Sequence, residues 1–115
     1  MIDFKNLAFW KKAHQVALRI YIATKKFPKE EIYGLTSQMR RSAISIPSNI
    51  AEGCGRNTKP QLNNFLAIAA GSTSELQYQA LVSFELGYLN IDDYTFLDSE
   101  LSEIRKMIYA YSLKL

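Results

Sequence analysis

The 115-residue sequence has one cysteine, Cys54, and one histidine, His14, with only 3 Pro and 5 Gly. A single thiol forbids a disulfide within the chain, and one Cys plus one His cannot supply a Cys/His zinc site. Scarce proline and glycine, with 48% hydrophobic and 22% charged residues, exclude disordered, collagen-like and low-complexity chains. No run approaches the roughly 18 apolar residues of a membrane span. The opening MIDFKNLAFW also lacks the basic region and apolar run of a secretory leader. These absences lead us to expect one soluble, cytoplasmic domain with a core of its own, no metal or cofactor, and no membrane or small-molecule partner.

Charge of one sign is unevenly spread. Residues 1–59 hold eleven Lys/Arg against four Asp/Glu, residues 60–115 three against seven, within a net charge of +3. Such asymmetry serves either a nucleic-acid surface or neutralisation between helices and subunits.

What the sequence has in abundance is helical spacing. No strand-like alternation and no internal repeat is evident. A first helix over about Leu7–Lys26 carries two apolar stripes, Trp10/His14/Ala17/Tyr21 and Phe9/Ala13/Val16/Ile20/Ala23, and Phe27-Pro28 ends it. The second starts between Gly34 and Ser37 and reaches about Cys54, with Leu35, Met39, Ala43, Ile46 and Ile50 inward and Gln38, Arg41, Ser45, Asn49, Glu52 and Arg56 on a polar stripe. Pro47 removes one backbone hydrogen bond there, so a kink or two abutting helices is expected. Gly53 and Gly55 supply permissive positions for closing the helix.

The third helix takes Thr58 as N-cap, tolerates Pro60 in its first turn and runs to about Tyr88. Its inner face is Leu62, Phe65, Ala69, Thr73, Leu76, Ala80, Phe84 and Gly87, and a second stripe is Tyr78, Val82, Leu86 and Leu89. The small residues between Ala67 and Ser74 imply a close helix crossing near Gly71. The fourth helix, capped by Asn90 or Asp92, has the stripe Tyr94, Leu97, Leu101, Ile104, Ile108 and Tyr111. Short connections make this an all-α, antiparallel up-down-up-down four-helix bundle. The surplus apolar surface on the first and third helices predicts a homo-oligomer through Phe9, Val16, Ile20, Tyr78, Val82 and Leu86.

Catalytic signals are weak. A di-iron bundle needs Glu-x-x-His pairs, but Lys11 stands three residues before the lone His14. That histidine reads as a core or interface residue hydrogen-bonded to a neighbour. Near a helix C-terminus, the dipole disfavours a Cys54 thiolate. The Gly53-Cys54-Gly55 turn follows a helix and lacks a Gly-Lys-Ser/Thr ending, so it is no P-loop. Arg41, Glu52 and Glu75 are expected, if buried, to act as structural ion pairs setting helix register. Arg56 and Lys59 bracket the start of the third helix, where an RNA phosphate can be received.

The most specific strings are Gln38-Met39-Arg40-Arg41-Ser42-Ala43, Ser45-Ile46-Pro47-Ser48-Asn49-Ile50-Ala51-Glu52-Gly53 and Gly71-Ser72-Thr73-Ser74-Glu75-Leu76. With Phe9-Trp10-Lys11 and Leu86-Gly87-Tyr88-Leu89, they resemble the four-helix bundle proteins encoded in intervening sequences of bacterial large-subunit ribosomal RNA genes. That resemblance spans nearly the whole chain. It implies a bundle assembled as a homopentamer, with no established enzymatic activity. It also implies a relation to the accessory variability determinant proteins of diversity-generating retroelements, which bind a reverse transcriptase and nucleic acid. Gln38, Ser45, Pro47, Asn49, Glu52, Gly53, Gly71 and Glu75 then form a structural polar motif. The nucleic-acid candidates are Arg40, Arg41, Arg56 and Lys59, followed by Lys11, Lys12, Lys25, Lys26 and Lys29. The functions left in competition are a non-catalytic module binding RNA or a ribonucleoprotein, and a protein-interaction scaffold with no nucleic-acid role.

Overall fold

A computed structural model describes residues 2–115 and contains four long helices and no strand among them. A 3₁₀ turn at Phe4–Asn6 precedes α1 (Ala8–Thr24), and a second at Lys29–Glu31 lies between α1 and α2 (Leu35–Cys54). Next come α3 (Lys59–Glu85) and α4 (Ile91–Ser112). Each helix packs against its sequence neighbours, and α4 closes against α1, with no diagonal pairing. The pairings run antiparallel throughout. Thus Ser42 meets Glu75 while Ser45 meets Ser72, and Lys12 meets Glu100 while Arg19 meets Asp93.

Local chemistry sets the helix ends. Thr58 Oγ1 accepts from Gln61 N at 3.3 Å with Pro60 in the first turn, and Asn90 Oδ1 accepts from Asp93 N at 2.7 Å. The Glu31 carboxylate reaches the first amide of α2, accepting from Leu35 N at 3.2 Å. Helix α3 ends where Gly87 takes φ +82°, the one positive φ among the described residues. There Tyr88 N donates to Ser83 O at 2.8 Å and Gly87 N to Phe84 O at 3.0 Å, the paired bonds of a Schellman motif. Gly55, with φ −84°, needs no such freedom, and Gly53 lies inside α2 rather than closing it.

Pro47 interrupts nothing. Helix α2 is continuous through it, and the ring is buried, so the alternative of two abutting helices is corrected. The lost amide bond falls within one strongly packed helix, whose neighbours Ile46 and Ile50 are fully buried.

The core is filled by one stripe per helix. From α1 it takes Phe9, Ala13, Val16, Ile20 and Ala23, from α2 Met39, Ala43, Ile46 and Ile50, and from α4 Leu97, Leu101, Ile104 and Ile108. Helix α3 contributes Leu62, Leu66, Ala69, Leu76 and Ala80, with Phe65 and Phe84 only half-buried at its flanks and Gly87 exposed. Phe84 stacks on Tyr94 at 4.6 Å between ring centroids, and Phe9 meets Tyr111 edge-on at 5.4 Å.

Two packing expectations need correction. Phe9, Val16 and Ile20, expected at a subunit interface, are 0–4% exposed in the interior of this chain, because the core of an amphipathic bundle claims the most continuous apolar stripe first. The close helix approach expected at Gly71 is absent: nothing lies within 4 Å of where its Cβ would stand. The tight approach is at Gly53, where a Cβ would meet Leu62 Cδ1 and Phe65 Cβ at 3.0 Å and Leu62 O at 3.2 Å.

Candidate nucleic-acid interface and the polar seam between helices

The seam between α2 and α3 is built from small polar side chains. Ser42 Oγ donates to Glu75 Oε1 at 2.9 Å, and the hydroxyls of Ser45 and Ser72 lie 2.9 Å apart. Asn49 Nδ2 donates to Ser45 O at 2.7 Å and to Ser45 Oγ at 2.9 Å, so the Ser45 hydroxyl links both helices. Short side chains bring these hydrogen-bonding groups together, and the bonds fix one register of α2 against α3.

Toward the α2 N-terminus the seam opens into a cleft of about 340 Å³, lined by Tyr33, Ser37, Gln38, Arg41, Ser42, Glu75 and Gln79. Gln38, Arg41 and Glu75 are exposed around it, whereas Ser42 and Gln79 are buried. Gln79 was not singled out by sequence. Its signal was the four-residue step from Glu75, which places both on one side of α3.

Buried ion pairs are not part of this seam. Arg41, Glu52 and Glu75 are all exposed, Glu75 takes a serine hydroxyl as its partner, and Glu52 pairs with Arg56 one turn away at 3.6 Å. Leaving these charges in water avoids the cost of desolvating them.

The four cations proposed for nucleic acid do not converge. Arg40 is tied to α1: its Nε donates to Thr24 Oγ1 at 2.9 Å, and its guanidinium lies 4.9 Å over the Tyr21 ring. Arg41 faces the cleft. Arg56, stacked 4.8 Å over Phe65, stands with exposed Lys59 at the opposite end of α2. Fifteen residues at a 1.5 Å rise separate Arg41 from Arg56 by about 22 Å.

Antiparallel packing sorts the remaining charges by bundle end. Where α1 and α3 begin and α2 and α4 finish, exposed Lys5, Lys11, Arg56, Lys59 and Lys114 outnumber Asp3 and Glu52. At the other end exposed Lys25, Lys26 and Lys29 are matched by exposed Glu30, Glu85 and Asp92, and half-buried Asp93 is paired with Arg19. Lys12 is held by Glu100 at 3.4 Å. Only Lys11 among the secondary candidates therefore joins the basic end.

The groups with catalytic reputations have other occupations. The His14 ring stacks on Trp10 at 5.1 Å and 6° in place of the expected hydrogen bond. Cys54 is buried, and burial followed by the Asp3 charge pushes its thiol above the usual range. No group of three or more potential metal ligands exists among the described residues.

Compared with known proteins, the sequence matches the family model described as 23S rRNA-intervening sequence protein over residues 5–110. The chain belongs to that family. A solved structure similar to it is a protein of unknown function from the S23 ribosomal protein family of Bacteroides thetaiotaomicron. The two share a TM-score of 0.82 and 22% identity over 91% of this chain and 98% of that one. At that identity the likeness shows the four-helix fold alone. No curated protein matches the sequence.

In this chain, the strings that carry the family resemblance fall mainly on one seam. Ser45, Asn49 and Glu75 hydrogen-bond within or beside it, Gln38 lines its cleft, and Gly53 marks a tight approach to α3. Buried Pro47 packs inward, exposed Glu52 pairs with Arg56, and Gly71 is exposed. Of the surplus stripe on α3, Tyr78 is 67% and Leu86 54% exposed and Val82 is half-buried, while Leu89 turns into the core at 4%. No helix among the described residues is long and apolar enough to cross a membrane.

Proposed function

We propose that this protein is a non-catalytic, cytoplasmic helical module that assembles with copies of itself, as a pentamer, and holds RNA at its basic end. The single observation carrying the RNA reading is the sorting of charge: five exposed cations face two exposed carboxylates at one end, whereas at the opposite end exposed Lys25, Lys26 and Lys29 are matched by exposed Glu30, Glu85 and Asp92. Arg56 and Lys59 are the principal RNA-binding groups, because they flank the N-terminus of α3, where the helix dipole favours a phosphate. Lys5, Lys11 and Lys114 surround them. Closed assembly would multiply the patch, and the stripe of exposed Tyr78 and Leu86 with half-buried Val82 supplies an apolar surface for it.

Fluorescence anisotropy with a structured RNA at two salt concentrations tests this. Binding weakens steeply with salt, and in Arg56→Glu/Lys59→Glu the slope falls by roughly one for each phosphate that is no longer neutralised. Lys25→Glu/Lys26→Glu, at the opposite, balanced end, leaves the slope unchanged. RNA binding equal in both double variants sinks the basic-end reading. Light scattering on the same samples tests the assembly, and a monomer mass rejects it.

The exposed stripe on α3 favours a second reading, a protein-interaction scaffold. Salt-insensitive capture of a protein partner, abolished in Tyr78→Ser/Leu86→Ser and accompanied by no RNA binding, would establish that one instead.

A further inference from the structure

We infer that an unpaired base of the bound RNA stacks on Tyr109 in an apolar cleft between α3 and α4, so that this protein holds single strands in preference to duplex. This rests on the RNA reading of the basic end and adds to it the form of RNA held and the surface that selects it. The cleft, about 300 Å³, has Leu66, Ala67, Ala70 and Ile108 in its lining together with Tyr109 and Arg105. The Tyr109 ring is 66% exposed there. The space is at the small end of ordinary ligand pockets, roughly 300–1,000 Å³, and suits one flat ring.

Charge points to the occupant. Arg105 is half-buried and held in place: its Nη1 donates to Gln77 Oε1, and Gln77 Nε2 donates to Ser102 Oγ at 3.0 Å and to Asp98 Oδ1 at 3.3 Å. Orientation through a neutral amide leaves the guanidinium with no ion pair among the described residues. Such a group is ready to take a phosphate. Ser112 lines this cleft and also a second one of about 260 Å³, which contains Lys59 and so joins the basic end. No acidic side chain lines either cleft. From Lys59 to Ala70 the eleven-residue step along α3 covers about 16 Å, so cations flank an apolar and aromatic floor along an extended strip.

That arrangement is what a single strand requires, a positively charged track for the backbone beside an aromatic face for a base. In a duplex the bases lie stacked on one another and cannot reach the ring, whereas an unpaired base turns its face outward. Leu66, Ala67, Ala70 and Ile108 carry no side-chain hydrogen-bonding group, so the floor holds the face of a base without reading its edge. Selection is therefore for an unpaired base of any identity. A fatty acid would use the floor and one cation, leaving the second cation without a role.

The test compares a labelled uridine homopolymer with an RNA duplex of equal length by fluorescence anisotropy on the full chain, and follows stacking with a single strand that carries 2-aminopurine. The single strand binds more tightly than the duplex, and binding quenches the 2-aminopurine emission. Tyr109→Ala weakens single-strand binding about tenfold, as loss of one stacked base does, abolishes the quenching and leaves duplex binding unchanged. Tyr109→Phe keeps both, and thermal melts report the folding of each variant. Arg105→Gln lowers the single-strand salt slope by roughly 0.7, the share of one phosphate. Equal affinity for the two RNAs overturns the proposal, as does an equal loss of both in Tyr109→Ala. If Arg56→Glu/Lys59→Glu still weakens binding in that case, the basic-end reading survives without the cleft, whereas binding of neither RNA ends both. A particle mass that drops in Tyr109→Ala also overturns the proposal, showing a second copy of the chain in the cleft.

Discussion

Ser45 of α2 and Ser72 of α3 meet hydroxyl to hydroxyl at 2.9 Å, and Asn49 holds the Ser45 side of the pair. Ser72→Ala therefore costs about 1 kcal/mol, the usual net value of one such bond. The double variant Ser45→Ala/Ser72→Ala costs less than the two single changes together, because neither leaves the other unpaired. Urea unfolding of the four proteins in the cycle measures the coupling.

Gly53→Ala destabilises by about 1–3 kcal/mol, since the added methyl meets Leu62 and Phe65 at 3.0 Å where both helices are tightly packed. Gly71→Ala, at an open and exposed site within α3, is stabilising by a few tenths to about 1 kcal/mol through helix propensity. Opposite signs for the two glycines in thermal melts are the expected result. A like sign would contradict the placement of the close approach.

Gly87→Ala costs about 1–2 kcal/mol because φ +82° is left-handed, although nothing crowds the site. Gly87→Asn recovers part of that loss, as asparagine tolerates this conformation better. Comparing the chemical-denaturation midpoints of the three proteins separates backbone strain from packing.

Tyr88 donates its hydroxyl to Glu31 Oε2 at 3.2 Å. Desolvation first, then this bond and the nearby Glu31 and Glu30 charges, raise its pKa above the ordinary 10.0. The folded state thus favours the neutral phenol, a contribution fully present below pH 10 and lost as pH rises through the raised value. Tyr88→Phe removes that alkaline loss, so its melting temperature falls less steeply above pH 10 than that of the parent protein. Parallel alkaline slopes would show that Tyr88 contributes nothing there.

Much of this was readable in advance. The helix caps at Thr58 and Asn90 follow from side chains that bond to amides three residues on, and the α4 stripe follows from steps of three and four. The polar motif was visible as well, but its partners were not. Glu75 had several arginines to choose from in sequence and took Ser42, a choice made by how far α2 and α3 slide past each other. Gln79 carried no motif of its own. Its isolation arises because neighbouring backbone and core bury it without offering a partner.

The sequence by itself determined four helices, their inward faces and the antiparallel order, because periodicity, capping residues and short connections act locally along the chain. Only tertiary structure decided which of the α1 stripes became core, where the helices touch most closely and how the charges are grouped. Those depend on groups distant in sequence being brought together: Lys5, Arg56, Lys59 and Lys114 gather at one end because alternate helices reverse direction. The same reversals place Glu85, Asp92 and Asp93 beside Lys25 and Lys26 at the other end, so a charge imbalance along the chain becomes one between the two ends of the bundle.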